Sequence, residues 1–315
     1  MFTLIQRNGE ISLKLSAIYA SIVFVMILWG FNVVAIKVIV EEFPAVTITS
    51  LRIFIAAIVV WLILGLQKDI RLPKRKEFIF ILLATFTGVV GHHYFLSVGL
   101  TETTASNSGL ILGTVPLTTS ILAAIMLKER LSALRIIGLF IGLIGVSVIV
   151  LHGAGDHLAI NGGDVYIAFA VITQALSFIF IKQTSETMKA SLITGYMLLI
   201  GSFFLFLISL VMEPGQLPLL KDGTAIAWGA FLISGILATG IGHYLYNNAI
   251  PHIGPGRVSI FNNMTPFFAL IGSSLFLNEK ILPVQILAFI LIVVSVILGS
   301  GLGDRYLLKR RQRHT

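Results

Sequence analysis

Apolar runs of about 20 residues, the length that crosses a bilayer core, follow one another along the chain. Prolines, glycine pairs and charges gather in the short joints between them. The pattern predicts an all-α integral membrane protein with ten transmembrane helices: Ala17–Val40, Val46–Leu66, Phe78–Val98, Ala105–Leu127, Leu134–Leu151, Val165–Lys182, Leu192–Met212, Ala225–Ile250, Gly256–Leu277 and Val284–Gly303. Pro44, Pro73, Gly162-Gly163, Gly254-Pro255 and Pro283 supply the breakers. When the joints are assigned alternately to two sides, 18 of the 22 lysines and arginines fall on one side and only Lys221 and Lys280 on the other. That asymmetry makes both the N and C termini cytoplasmic.

A second pattern lies on top of the first. Pro116 and Pro266 stand 150 residues apart, as do Glu129 and Glu279, His93 and His243, and Tyr94 and Tyr244. The spacing divides the chain into residues 1–151, residues 162–303 and a basic cytoplasmic tail, 304–315. Five helices per copy is an odd number, so the second copy enters the membrane from the opposite side and the repeats are inverted. Glu129 and Glu279 then close helices four and nine as helix-end charges on opposite faces. Inverted repeats recur in secondary transporters, whose substrate site sits near the midplane where the halves meet.

Composition narrows the classes. The chain is 57% hydrophobic and 11% charged, against about 25% charged in soluble domains, and its mean hydropathy is +0.98. The net charge of +8 is explained by topology, because spans leave no solvated basic face for nucleic acid. The basic joint after helix two reads as a topology signal ahead of an anionic-lipid site. With no cysteine, disulfides and thiolate chemistry are excluded. No metal-ligand spacing and no nucleotide motif is present, so neither a metal nor a cofactor is expected. Ala17–Val40 is of full span length without a convincing cleavage site, and reads as a retained helix.

Several blocks carry a family resemblance: Trp29-Gly30-Phe31-Asn32 with Lys37, then Pro44 with Arg52, then helix four from Ala105 through Pro116 to Lys128-Glu129-Arg130, and its echo from Pro266 to Asn278-Glu279-Lys280. Over essentially its whole length the chain resembles the ten-helix, EamA-type branch of the drug/metabolite transporter superfamily. The resemblance implies two EamA-type repeats, a multi-pass protein of the cell membrane, alternating access, and Trp29 beside the substrate cavity. It covers amino acids, other metabolites and drugs alike. The second copy departs from the first in having no tryptophan or arginine opposite Trp29 and Arg52.

Polar groups at depth are costly and mark either function or helix contacts. Lys37 lies where its chain can snorkel. Arg52, seventh in helix two, either pairs with Glu41 or Glu42 or contacts an anion in the cavity. His93 with Tyr94, and His243 with Tyr244, sit near mid-depth in equivalent helices and are expected to line a shared cavity. Adjacent residues point about 100° apart, so His92 and His93 do not both face it squarely, and the repeat favours His93. Such a histidine offers proton coupling. Asn32, Asn107, Gln174, Asn247, Asn262 and Asn263 are divided between interhelical contacts and the cavity. Pro116 and Pro266 either kink their helices for packing or free carbonyls, that of Asn262 among them, for substrate. Gly138 and Gly142, with Ser295, Gly299 and Gly303, have the small-x-x-x-small spacing of close helix packing, and secondarily of a homodimer surface.

These readings converge on a secondary carrier that exports or exchanges a small organic metabolite, with amino-acid-like compounds ahead of cationic drugs because no carboxylate lies mid-span. Its partners are the solute and the lipid bilayer. Two other classes are weighed: a rhomboid-like intramembrane protease built on Ser108 of Ser106-Asn107-Ser108-Gly109 with a histidine, and a membrane scaffold without transport.

Overall fold

A computed structural model describes residues 2–68, 70–126, 133–152, 161–253, 258 and 261–299. Glu129 with its neighbours Lys128 and Arg130, and the 304–315 tail, lie outside the described residues. Among the described residues the protein is helical and has no strand. Helix α1 (Phe2–Glu42) is followed by α2 (Ala45–Leu66) and then by one long rod: α3 (Arg75–Thr85), a π-helical stretch at Phe86–Gly91, and α4 (His92–Glu102). Next come α5 (Ala105–Leu112), α6 (Val115–Met126), α7 (Ala133–His152), α8 (Gly162–Thr184) and α9 (Ala190–Met212). A second composite rod joins α10 (Ala225–Leu232), a π stretch at Ile233–Ile241, and α11 (Gly242–Ile253). A 3-10 turn, Asn262–Met264, leads into α12 (Thr265–Phe276), and α13 (Pro283–Gly299) ends the described chain.

Among the described residues, seven helical segments are long and apolar enough to cross a membrane: Ala17–Glu42, Ala45–Leu66, Arg75–Glu102, Ala105–Met126, Gly162–Thr184, Ala190–Met212 and Ala225–Ala249. Ile136–Gly145, Thr265–Phe276 and Pro283–Ser295 are shorter apolar helices.

Local chemistry sets the boundaries. The hydroxyls of Thr104 and Thr224 accept from the backbone N–H groups of Asn107 and Ala227, and the Asn161 side chain accepts from Gly163 N–H, capping α5, α10 and α8. Neither proline sits inside a continuous helix. Pro116 and Pro266 are each the second residue of a new helix, α6 and α12, where the missing N–H needs no partner. The expectation of a freed Asn262 carbonyl is corrected, because that carbonyl accepts from Thr265 N–H within the 3-10 turn.

The two breaks meet. A Cβ placed on Gly113, between α5 and α6, would lie 2.4 Å from Cγ of Pro266, and one on Gly109 would lie 2.3 Å from Cβ of Ala269. Only glycine lets α5 come this close to α12. Elsewhere α2 packs along α9 and α7 along α13, while α1 lies against α10, α11 and α12, and α8 against α4, α5 and α6. The expected small-residue contact holds at α7 and α13: a Cβ on Gly142 would lie 2.9 Å from Oγ of Ser295 and 2.5 Å from Cδ2 of Leu117.

Three carboxylates bolt helix starts from a distance. Glu279, expected as a helix-end charge, accepts from the backbone N–H groups of Ala105 (2.9 Å) and Ser106 (3.0 Å) and from the Ser106 hydroxyl (2.6 Å) at the start of α5. Glu213 does the same for Val46 and Thr47 at the start of α2, at 2.9 and 2.8 Å, and takes the Thr47 hydroxyl at 2.7 Å. Glu42 accepts from the N–H and hydroxyl of Thr224 at 2.8 and 2.7 Å. Each uses the positive end of a helix dipole and its unpaired N–H groups.

Candidate functional site

A cavity of about 90 Å³ lies where α1, α4, α8 and α11 meet the two helix breaks. Trp29 and Asn32 of α1, His92 and His93 of α4, Gln174 of α8, His243 of α11, and Asn262 supply its polar lining, with Val33, Ile36, Leu96 and Phe178 among the apolar wall. Asn262 lies in the 3-10 turn, and the others sit on helices. Both histidine-bearing rods reach the cavity directly after a π-helical stretch, and such stretches shift the register of the side chains beyond them. Glycine supports this locally: a Cβ on Gly88 would lie 2.0 Å from Oγ of Ser177 on α8.

Both adjacent histidines of α4 belong to the cavity wall. His92 and His93 both line the cavity, with ring centroids 4.9 Å apart, and His93 lies 6.1 Å from His243.

Hydrogen-bond partners fix which ring nitrogen carries the proton in each neutral imidazole. His92 Nδ1 is 3.0 Å from the carbonyl of Ala170, and His243 Nδ1 is 3.0 Å from that of Thr239. A carbonyl only accepts, so both Nδ1 atoms donate and both Nε2 atoms keep a lone pair. His93 is opposite: its Nδ1 is 3.3 Å from Nη2 of Arg52. A guanidinium only donates, so His93 Nδ1 accepts and its Nε2 bears the hydrogen.

Arg52 is 1% exposed and stands behind His93, outside the cavity lining. Its Nη1 donates to the hydroxyls of Thr239 at 2.8 Å and Ser234 at 3.3 Å in the second π stretch, and Ser234 in turn donates to Asn32 Oδ1. The expected pair with Glu41 or Glu42 does not form. Glu41 pairs with Lys37 at 3.2 Å and Glu42 holds Thr224, and among the described residues no carboxylate pairs with Arg52. Lys37 also donates to the Leu100 carbonyl at 2.9 Å.

Of the residues expected at the cavity, Trp29, Asn32, His93, Gln174, His243 and Asn262 line it. Trp29 packs on the rings of His243 and Tyr246 and donates to the Ala238 carbonyl at 2.9 Å. Tyr94, Tyr244, Asn107 and Asn247 are corrected: none lines the cavity. Tyr94 and Tyr244 sit one position past the lining histidines, which turns them about 100° away. Tyr244 exchanges hydrogen bonds with the Gln67 side chain at 2.7 and 3.1 Å. Asn247 donates to Thr194 Oγ1 at 2.6 Å and Asn107 accepts from Gln285 Nε2 at 2.8 Å, so both tie helices together. The Asn263 side chain lies outside the described residues. Ser108, the alternative nucleophile, is fully buried and is not in the wall that the histidines share.

Sequence reasoning missed Asp164. Fully buried at the start of α8, it accepts from the Thr103 hydroxyl through Oδ1 and from Asn107 Nδ2 at 3.5 Å through Oδ2. The cluster joins α8, the end of α4, α5 and, through Gln285, α13. The available signal was a lone carboxylate in the first turn of an otherwise apolar span.

Relatives share this frame. An uncharacterized transporter of Bacillus subtilis (strain 168), YetK, is 28% identical over 278 residues, covering 87% of this chain and 84% of its own. A second from that organism, YyaM, is 28% identical over 255 residues, covering 79% and 82%. A WAT1-related chloroplastic protein of Arabidopsis thaliana is 23% identical over 279 residues, covering 86% and 66%. One protein of known crystal structure superposes with a TM-score of 0.66 at 20% identity, over 90% of this chain and 97% of its own, a likeness of fold. The model of the EamA-like transporter family matches residues 16–151 and again residues 161–301. Nearly the whole chain is thereby accounted for, and this multi-pass membrane transporter belongs to the EamA-like transporter family of the drug/metabolite transporter superfamily.

Proposed function

We propose that the protein is a secondary carrier of the cell membrane that exports or exchanges a small organic metabolite by alternating access, with amino-acid-like compounds ahead of cationic drugs. Its ten spans form two inverted five-helix halves, residues 1–151 and 162–303, with both termini cytoplasmic. The observation that carries this reading is the cavity: its polar wall draws on both halves, with Trp29, Asn32, His92 and His93 from one and Gln174, His243 and Asn262 from the other. Shared lining is what a site alternately exposed by rocking halves requires. The packing supports the same symmetry, because α1 against α11 and α12 is matched by α8 against α4 and α5, while α2 with α9 and α7 with α13 pair across. Two matches of one family model support the halves as copies.

The cavity also bears on substrate. A cationic drug calls for a carboxylate, and among the described residues none lines this wall, whereas a buried arginine stands behind it. At about 90 Å³ the space is smaller than a cavity of about 150 Å³ that admits benzene, so a larger solute needs the halves to move.

Metabolite profiling of medium and cytoplasm from cells overexpressing or lacking the gene tests the reading. One or a few small solutes should accumulate outside on overexpression, and His93→Ala should abolish the change without loss of protein. Identical profiles across a broad panel would favour the scaffold instead.

A further inference from the structure

Three buried polar atoms without a hydrogen-bond partner belong to residues that line this one cavity: Nε2 of His93, Oε1 of Gln174 and Oδ1 of Asn262. An unsatisfied buried polar atom costs about 1–3 kcal/mol, so three together mark a place where a bound molecule supplies the missing partners. Their chemistry is unequal. His93 Nε2 is a donor, because Arg52 occupies Nδ1. The amide oxygens of Gln174 and Asn262 only accept. Arg52 Nε also lacks a partner, and among the described residues no carboxylate offsets the guanidinium charge. In a low-dielectric interior that charge acts strongly on whatever binds at His93.

We infer that the cavity takes a small solute bearing one carboxylate with an N–H or O–H donor beside it, as in an α-amino or α-hydroxy acid. The carboxylate accepts from His93 Nε2–H, where its charge offsets that of Arg52, and the neighbouring group donates to Gln174 Oε1 and Asn262 Oδ1 if it is an ammonium, or to one of the two if it is a hydroxyl. Arg52 is a positioning residue here: it reaches the solute through His93, holding the ring in the one tautomer that presents a donor. The lone pairs on Nε2 of His92 and His243, left by their carbonyl contacts, add acceptors suited to an ammonium group. The volume of about 90 Å³ admits a side chain close to that of alanine without movement of the halves. This inference rests on the carrier reading above and specifies its substrate class.

The test uses the full chain, purified and reconstituted in liposomes, with counterflow of labelled L-alanine, L-lactate, L-alaninamide and choline. Alanine, lactate or both should exchange at least tenfold faster than alaninamide, which lacks only the carboxylate charge, and than choline. Whichever of alanine and lactate exchanges faster identifies the donor as ammonium or hydroxyl. Arg52→Gln and His93→Leu should each lower the preference for alanine over alaninamide at least tenfold, and His93→Gln, which keeps an amide N–H, should restore part of it. Should Arg52→Gln fail to fold, the comparison of alanine with alaninamide in the unaltered protein decides alone. Exchange of alaninamide or choline as fast as alanine and lactate overturns the carboxylate inference and leaves the carrier reading standing. No exchange of any solute, in a panel widened to neutral sugars and other cations, overturns both.

Discussion

Gln174 and Asn247 are both buried amides on apolar helices, yet they differ in what they do. Gln174 leaves its oxygen unsatisfied in the cavity wall, whereas Asn247, whose oxygen also lacks a partner, lies outside that wall and donates to Thr194. Replacing Gln174 with methionine removes an unmet polar atom, and should raise stability by about 1 kcal/mol while transport falls at least tenfold. Asn247→Leu loses the bond to Thr194, worth about 0.6 kcal/mol between helices, but also removes an unmet oxygen, so stability should stay within about 1 kcal/mol and transport within twofold of the parent. Thermal unfolding in detergent beside a counterflow assay reads both, and a Gln174→Met protein that is less stable and fully active would refute the assignment. From sequence the two amides are equivalent. Which atom meets a partner depends on the rotation of the helix and on what faces it, and local composition encodes neither. His92 shows the same limit, because its place in the cavity wall beside His93 depends on what faces α4 and not on spacing along it.

At the scale of elements, the carboxylate caps are the contacts whose loss is most readily measured. Glu213 satisfies two backbone N–H groups and one hydroxyl at the start of α2, the helix that carries Arg52. Hydrogen bonds to a charged group contribute about 1.5–3 kcal/mol, so Glu213→Ala should lower stability by about 2 kcal/mol, and Glu213→Gln by less because the amide oxygen still accepts. An unshifted melting curve for Glu213→Ala would show that α2 starts without this cap. Glu279 fulfils the same role for α5. Its position at a helix end was legible in the sequence, but its partner stands 174 residues away, beyond any local pattern. The prolines follow suit. A break at Pro116 and Pro266 was readable, whereas their meeting through Gly113 is a fact of packing.

For the whole molecule the proposed topology is open to direct mapping, because the chain has no cysteine and single cysteines can be introduced without background. Cysteines replacing Asp222 and Lys280 should react with a membrane-impermeant maleimide in intact cells, and those replacing Lys76 and Glu186 only after permeabilisation. The opposite pattern would reverse the orientation, and mixed labelling at one joint would change the number of spans. A separate expectation concerns the Asp164 cluster, which ties α8 to the ends of α4 and α5: Asp164→Asn should alter transport rate while leaving the preference among solutes unchanged, since Asp164 lies outside the cavity lining. Counterflow with two competing solutes separates rate from preference. The all-helical membrane class and the positions of the helix breaks were set by the sequence alone, because the cost of burying charge and the length of an apolar run are local properties that each segment carries with it. The partners of Arg52, the two tautomers among three histidines, the caps by Glu213 and Glu279, and the choice of Gln174 over Asn247 for the cavity were decided only by the tertiary structure. Each depends on the direction of one helix against another, and therefore on atoms far apart in the chain.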